Sequence, residues 1–434
     1  METALLTSLV LFGLFFLLLA IGVPISVGIG ISSIVSALTF VPLDVITFTA
    51  AQKLFQGINS FTLLALIFFM LSGSIMNNGG IAIRLINLAK LLVGRLPGAL
   101  AHTNVVGNML FGSISGSAVA SAAAIGGLMN PMQKKEGYDP SFSAAVNIAS
   151  APAGLLIPPT TAFIVYSLVS GGTSISALFM AGYLPGILMG VSIMITAYFI
   201  AKRAKYPISD KLTFKQGLKV IIDALPSLSL IIVVIGGIVA GVFTATEGAA
   251  VAVLYSIILS FFYKQIKLFQ IPNILKETVV MTGIVLFLVG ASSIMSWVMA
   301  YAGIPRAISE LLLSVSENPI IILLLMNIIL LIVGTFMDIT PAILIFSPIF
   351  LPIALQIGID PVHFGVILIF NLCIGITTPP VGSALFVGSS IANVSIESVI
   401  RPLMKMYVPL VITLLLITYF PWFSLAIPKL FGLM

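Results

Sequence analysis

Ser113, Ser115 and Ser117 stand in the stretch FGSISGSAVAS, and farther on two threonines follow a proline pair in LLIPPTT, Leu155–Thr161. The grouping returns later in the chain. Asp338 and Thr340 stand in GTFMDITP, and Thr377 and Thr378 precede Pro379-Pro380 in GITTPP. Proline removes an N–H and clashes with the preceding helical turn, so a doubled proline leaves several carbonyls without helical partners. In hydrocarbon such backbone is tolerated only where it is buried in protein or lines an aqueous site. A cation can satisfy the freed carbonyls. Sodium takes about five or six oxygen ligands, in the style of hard-cation sites.

These residue types therefore predict at least two sodium sites. The first draws on Gly112, Ser113 and Ser115 with the carbonyls of Gly154, Ile157 and Pro159. The second draws on Asp338 and Thr340 with Gly375, Thr377, Thr378 and Pro379. Helices restarting after each proline pair, at Thr160-Thr161 and at Pro380-Val381-Gly382-Ser383, point partial positive charge and free N–H groups at one cavity. Together with Ser115, Gly116 and Ser117 they predict a site suited to a carboxylate substrate.

Elements that could position these groups follow from composition. The 434 residues are 60% hydrophobic and only 7% charged, against about a quarter charged in soluble proteins. The bilayer must be the solvent. Apolar runs long enough to span it recur along the chain, including Leu5–Ile21, Ile187–Ala201, Leu228–Val242, Val279–Val298 and Val408–Phe420. Leu5–Ile21 has no basic segment before it and reads as a retained first helix. The reading is an all-α polytopic membrane protein with no role in nucleic-acid binding; the net charge of +6 reflects cytoplasmic loops. The single cysteine, Cys373, reads as a small core residue.

The chain divides into two repeats, 1–210 and 211–434. Pro158-Pro159 and Pro379-Pro380 are 221 residues apart, and Gly80–Arg84, Tyr183–Pro185 and Phe111–Ser115 have counterparts near that offset. The densest basic stretch, Lys202 to Lys219 and including Lys211, lies between them and should be cytoplasmic. Counting one crossing per spanning segment and two re-entrant hairpins then puts sixteen of the nineteen Lys and Arg inside, with Lys53, Arg306 and Lys429 outside. Both termini fall outside, and the repeats enter the membrane from opposite faces, as in many secondary transporters.

Each repeat holds a hairpin and a broken helix. The hairpins are Asn104–Asn130, interrupted at Gly112–Ser117, and Pro319–Ile357, turning at Gly334–Pro341. The broken helices are Ser141–Gly171, with its break at Gly154–Thr161, and Val362–Ser390, with its break at Gly375–Pro380. Plainer roles are also legible. Ser113 to Ala124 suits close helix packing, Asp338 could cap the second arm of its hairpin, and Glu247 could cap or brace a helix start. Arg84 and Arg306 read as snorkelling anchors, and His102 and His363 as interfacial. Neither histidine has a partner at metal-ligand spacing, and no acid completes a triad with Ser115, so an enzyme is not expected. No nucleotide-binding glycine loop is present, so ATP does not energise this chain.

At LLIPPTTAFIVYSLVSGGTSISALFMAGYLPG, FGSISGSAVAS, TATEGAA and NLCIGITTPPVGSALFV the sequence resembles the DctM-like large M subunit of tripartite ATP-independent periplasmic (TRAP) transporters, over essentially the whole chain. Within that family it is most similar to the sialic-acid branch. The resemblance implies an elevator. A scaffold of roughly 1–80, 176–300 and 398–434 would hold a transport domain of roughly 96–172 and 318–395, with Arg84 and Arg306 on arm helices between them. It further implies sodium-driven uptake across the bacterial inner membrane, a separate small four-helix Q subunit, and a periplasmic binding protein that delivers an organic acid. Sialic acid is the expected substrate and a C4-dicarboxylate the runner-up. A binding-protein-independent sodium/dicarboxylate symporter shares the hairpin and broken-helix plan and stands as the alternative.

Overall fold

Among the described residues, seven helices are long and apolar enough to cross a bilayer: Ile175–Ala204, Phe214–Val239, Ala245–Phe262, Leu268–Ala302, Pro319–Phe336, Ile339–Gln356 and Ile396–Tyr419. A further pair, Leu43–Ile58 and Thr62–Asn78, would form an eighth span bent by 58°. The computed structural model describes residues 2–209 and 213–434. Lys211 and the boundary between the two proposed halves lie outside the described residues. Among the described residues there is no strand. The first apolar run is helical, Glu2–Ala20.

Local chemistry explains where the helices start. Thr213 and Gln216 form a reciprocal cap, as do Thr244 and Glu247. Ser117, Asp139, Ser174, Asp338, Asp360 and Ser395 each accept a hydrogen bond from the first turn of the helix that follows. Glu247 is thus a cap, and Asp338 serves as one too.

The first hairpin consists of Ala99–Ser115 and Ala118–Lys135, the second of Pro319–Phe336 and Ile339–Gln356. The first broken helix runs Pro140–Ser150, a 3-10 segment Ala151–Leu155, a turn, and Thr161–Val169. The second runs Pro361–Gly375 and resumes at Ser383–Ala392. Both Pro158-Pro159 and Pro379-Pro380 are cis. The first hairpin turn is tighter than Gly112–Ser117: Gly112 to Ser115 stay helical, and only Gly116, at φ +63°, and Ser117 leave the helix. A left-handed turn of this kind needs glycine.

Hairpin and break meet through glycine in both halves. A Cβ on Gly112 would lie 2.8 Å from the Cα of Gly154, and a Cβ on Gly334 would lie 2.9 Å from the Cα of Gly375. No side chain fits at either contact. The second contact is built from residues 222 and 221 positions beyond the first. The two broken helices also touch each other. Tyr166 donates to the Pro361 carbonyl at 2.7 Å, and its ring occupies the space a Cβ on Gly365 would need, 2.5 Å from Cε1.

Polar networks differ between the halves. In the first, the Asn108 amide donates to Asn147 Oδ1 (3.0 Å) and Ser150 Oγ (2.8 Å), and Ser121 donates to Asn108 Oδ1 (2.8 Å). In the second, Asn371 donates to Asn327 (2.7 Å), and Asn327 to Thr418 (3.0 Å). His363 belongs to this network: its Nδ1 pairs with Ser424 Oγ at 2.7 Å. Both His102 and His363 are buried within the protein, 1% exposed. His102 Nε2 pairs with the Pro97 carbonyl at 3.1 Å, and its Nδ1 has no partner. Cys373 is fully buried in the core.

Arg84 is held by three partners. Its Nε donates to Asp223 at 3.2 Å, its Nη1 to the Gly80 carbonyl at 2.7 Å, and its guanidinium lies 3.6 Å from the centre of the Tyr263 ring. It ties helix Ile81–Val93 to the helices Phe214–Val239 and Ala245–Phe262. Arg306 pairs only with Glu310, one turn away on its own exposed surface.

Candidate functional site

A cavity of about 460 Å³ collects both hairpin turns and both breaks. From the first half it takes Ser115, Gly116, Ser117, Leu155 and Thr161; from the second, Asp338, Ile339, Thr340 and Ile376. Two further helices close it. Thr62–Asn78 supplies Ser74 and Asn77, and Ile271–Ala302 supplies Glu277 and Thr278. These four were not foreseen. Each lies on an ordinary-looking apolar helix, and only the isolated acid Glu277 carried any local signal.

The oxygen groups at the first hairpin turn are mostly engaged within it. Ser113 Oγ donates to the Leu110 carbonyl at 2.8 Å, Ser115 Oγ to the Ser117 carbonyl at 3.4 Å, and Thr161 Oγ1 to the Gly116 carbonyl at 3.3 Å. Ser113 and Ser115 therefore do not hydrogen-bond the carbonyls of Gly154, Ile157 or Pro159. Gly112 and Gly154 are in backbone contact, whereas Ile157 and Pro159 do not line the cavity. Thr160 is fully buried off the cavity wall, and its hydroxyl has no partner.

At the second turn Asp338 caps Ile339 N at 2.9 Å and still exposes its carboxylate to the cavity beside Thr340. The Ser383 hydroxyl lies next to that carboxylate without a hydrogen bond of good geometry. Thr377 and Thr378 both donate to the Ile374 carbonyl, at 2.7 and 2.8 Å, and Tyr407 donates to the Thr377 carbonyl at 2.5 Å. Gly375 packs on Gly334, and Pro379 lies off the cavity wall.

The helix restart at Pro380 to Ser383 stands outside the lining of this cavity. None of the four residues lines it, and Pro380 and Val381 are exposed elsewhere. The physical reason is that the N–H groups are already used: Val381 N and Gly382 N both donate to the Thr335 carbonyl, at 3.2 and 3.1 Å. They bind the hairpin to its broken helix instead of an anion.

Electrostatically the cavity is one-sided. Asp338 and Glu277 are its charged wall residues, and among the described residues no Lys, Arg or His lines it. Around both turns the potential ligands are hydroxyls, carbonyls and one carboxylate, a hard-oxygen set. Among the described residues no three His, Cys, Asp or Glu side chains converge as a multivalent-metal site would need.

Known proteins resemble this chain over nearly its whole length. Residues 12–423 match the family described as "Tripartite ATP-independent periplasmic transporter, DctM component". The chain is 40% identical to the sialic acid TRAP transporter large permease protein SiaM of Vibrio cholerae, covering 95% of this chain and 96% of that one. It is 35% identical to the C4-dicarboxylate TRAP transporter large permease protein DctM of Rhodobacter capsulatus, over 98% and 100% of the two chains. Among solved structures, the YdaH transporter of Alcanivorax borkumensis, described as having an unusual topology, superposes with a TM-score of 0.63 over 89% of this chain and 90% of that one. At 13% identity that likeness concerns the fold alone. A multi-pass helical membrane protein that matches this family over nearly its whole length, and relatives over 95% or more, belongs to the DctM family of TRAP transporter large permease subunits.

Proposed function

We propose that this chain is the permease of a sodium-coupled importer of an organic acid in the bacterial inner membrane. One observation carries the reading: both hairpin turns and both helix breaks meet on a single cavity whose charged groups are two carboxylates. An anionic substrate entering it alone would be repelled by Asp338 and Glu277. Cations bound at the turns would reverse that, so substrate and cation binding are linked by their charges. At a separation of about 4 Å, opposite unit charges attract by about 4 kcal/mol for a partly buried site.

Sodium fits the oxygen groups available. Asp338, Thr340 and Ser383 would hold one ion, with carbonyls from the Gly375 to Pro379 break. Ser113 and Ser115, turned from their present partners, and the unpaired Thr160 hydroxyl would hold another with carbonyls from the Gly154 to Pro159 break. Ions at these places would lock each turn onto its broken helix and complete the wall formed by Ser115, Gly116, Ser117 and Thr161. Two repeats of opposite orientation, with residues 96–172 and 318–395 moving against the rest, would then carry the site across as an elevator. A bound ion favours whichever state it contacts better, and nothing else is needed to couple the steps.

A carboxylated sugar such as sialic acid suits this reading best, given the similarity to SiaM; a C4-dicarboxylate is the second choice, given the similarity to DctM. A separate four-helix Q subunit and a periplasmic binding protein complete the tripartite system that the family description names. The test is uptake into proteoliposomes holding this chain, a Q subunit and a candidate binding protein, with sialic acid or succinate and with or without a sodium gradient. Uptake that ignores the sodium gradient sinks the coupling, and uptake without the binding protein favours an independent symporter.

A further inference from the structure

Gly73 stands inside the helix Thr62–Asn78, where helical propensity alone would favour alanine. A Cβ placed on it would lie 2.9 Å from the Ser115 carbonyl oxygen and 3.3 Å from the Ser115 Cα. Both are main-chain atoms, so no side chain can swing aside to make room. Ser115 ends the first arm of the first hairpin, and both residues line the transport cavity. The hairpin turn therefore rests on this helix backbone to backbone.

Both partners in the contact are braced. Ser72, the neighbour of Gly73, ties the helix to Ala245–Phe262: its hydroxyl pairs with Ser256 Oγ at 2.7 Å and lies 3.2 Å from the Ala252 carbonyl. Thr246 of that second helix donates to the Phe61 carbonyl at 3.4 Å. On the hairpin side, Gly112 is pressed on Gly154, and the Thr161 hydroxyl holds the Gly116 carbonyl. A methyl group at 73 has to displace one braced element from the other.

The other half of the chain lacks this contact. Gly73-Ser74-Ile75-Met76 returns 219 positions later as Ser292-Ser293-Ile294-Met295, on the helix Ile271–Ala302. Its first position carries a side chain, and Ser292 is buried. That helix meets the cavity through Glu277, Thr278, Met281 and Val285, the last of them about 10 Å along the axis before Ser292. The cavity thus reaches the motif in one half and stops short of it in the other. A one-sided contact of this kind belongs to one of the two positions that hairpins in an inverted repeat can occupy.

We propose that Gly73 is a positioning residue for transport: its bare backbone seats the first hairpin's turn and stabilises the state in this structure against the one in which the cavity opens to the opposite face of the membrane. The proposal rests on the alternating reading given above, in which the hairpins move against the helix Thr62–Asn78. A side chain at 73 weakens one state only, so it shifts the populations.

The test places a reporter on the cavity wall. Ala120 lines the cavity and is half-buried, and the one cysteine of the chain, Cys373, is fully buried. Ala120→Cys is labelled by a membrane-impermeant maleimide applied to one face or the other of proteoliposomes holding this chain and a Q subunit. The ratio of the two labelling rates reads the balance of states. Adding Gly73→Ala is expected to move that ratio about fivefold or more toward the face that labels more slowly without it. Gly283→Ala, where a Cβ meets nothing within 4 Å, is the control and leaves the ratio unchanged. An unchanged ratio in Gly73→Ala overturns the proposal. Faster labelling from both faces alike also overturns it, because that marks a loosened fold and not a displaced equilibrium. If Ala120→Cys alone labels from a single face whatever the sodium and substrate concentrations, the alternating reading falls and the proposal with it. If its ratio responds to sodium but not to Gly73→Ala, the seat alone falls.

Discussion

The two hairpin turns share a contact and differ in everything around it. Gly112 on Gly154 and Gly334 on Gly375 bring backbone against backbone with no room for a side chain. Around the first contact the cavity-facing oxygens are neutral: Ser115, Ser117 and Thr161. Around the second stands Asp338. The restarting helix is also held differently, by the Thr161 hydroxyl on Gly116 in one case and by two N–H bonds to Thr335 in the other. Close approach is thus the common element, and charge is the variable one. Two cation sites built this way would differ in affinity.

The largest expected effect tests the common element. Gly154→Val and Gly375→Val each place a branched side chain where backbone already sits, and overpacking of this kind costs about 1–3 kcal/mol or more. Both should abolish uptake and reduce the yield of monodisperse protein on size-exclusion chromatography. A tolerated valine at one position would break the parallel between the turns.

Charge comes next. Asp338→Asn should raise the sodium concentration for half-maximal uptake by about tenfold or more, since a charged ligand contributes about 1.5–3 kcal/mol. Ser115→Ala should raise it less, and Glu277→Gln, across the cavity from the turns, less again. Equal shifts for Asp338→Asn and Ser115→Ala would show that the carboxylate serves only as a helix cap.

Smaller effects separate the supporting networks. Asn108→Ala removes the hub of the first half's network and should lower stability by about 1–3 kcal/mol; Asn327→Ala, with fewer partners, should cost less. Unfolding in mixed micelles ranks the two. Smallest of all, Arg84→Ala should cost about 1 kcal/mol or less, because Asp223 is half exposed and part of the interaction is with the Tyr263 ring. Arg306→Ala should leave stability unchanged within error in the same assay.

Much of this was legible in the sequence, for physical reasons. Proline pairs and glycine-serine runs favour interruption of a helix, so the breaks could be located, whereas the first hairpin's arms each run five residues beyond the expected Asn104 and Asn130. Persistence of the helix through Gly112 to Ser115 was not legible, because small residues also allow the close packing that keeps a helix intact. His102 and His363 look interfacial in isolation; His363 is buried because Ser424 and Thr418, more than fifty positions later, fold over it. Arg84 depends on partners from two distant helices. Likewise, the Ser74, Asn77, Glu277 and Thr278 wall exists only once two separate helices face the turns.

Tyr166 and Gly365 carry a consequence for the family's history. The tyrosine ring fills the volume a side chain at 365 would need, while its hydroxyl holds the Pro361 carbonyl. Gly365 cannot gain a side chain while the tyrosine ring stays in place. A lineage that acquires alanine or serine at 365 must first, or at once, shrink the residue at 166 and find another donor for that carbonyl. Among aligned relatives the two positions should therefore change together, and a sequence holding tyrosine at one with a bulky residue at the other should be rare.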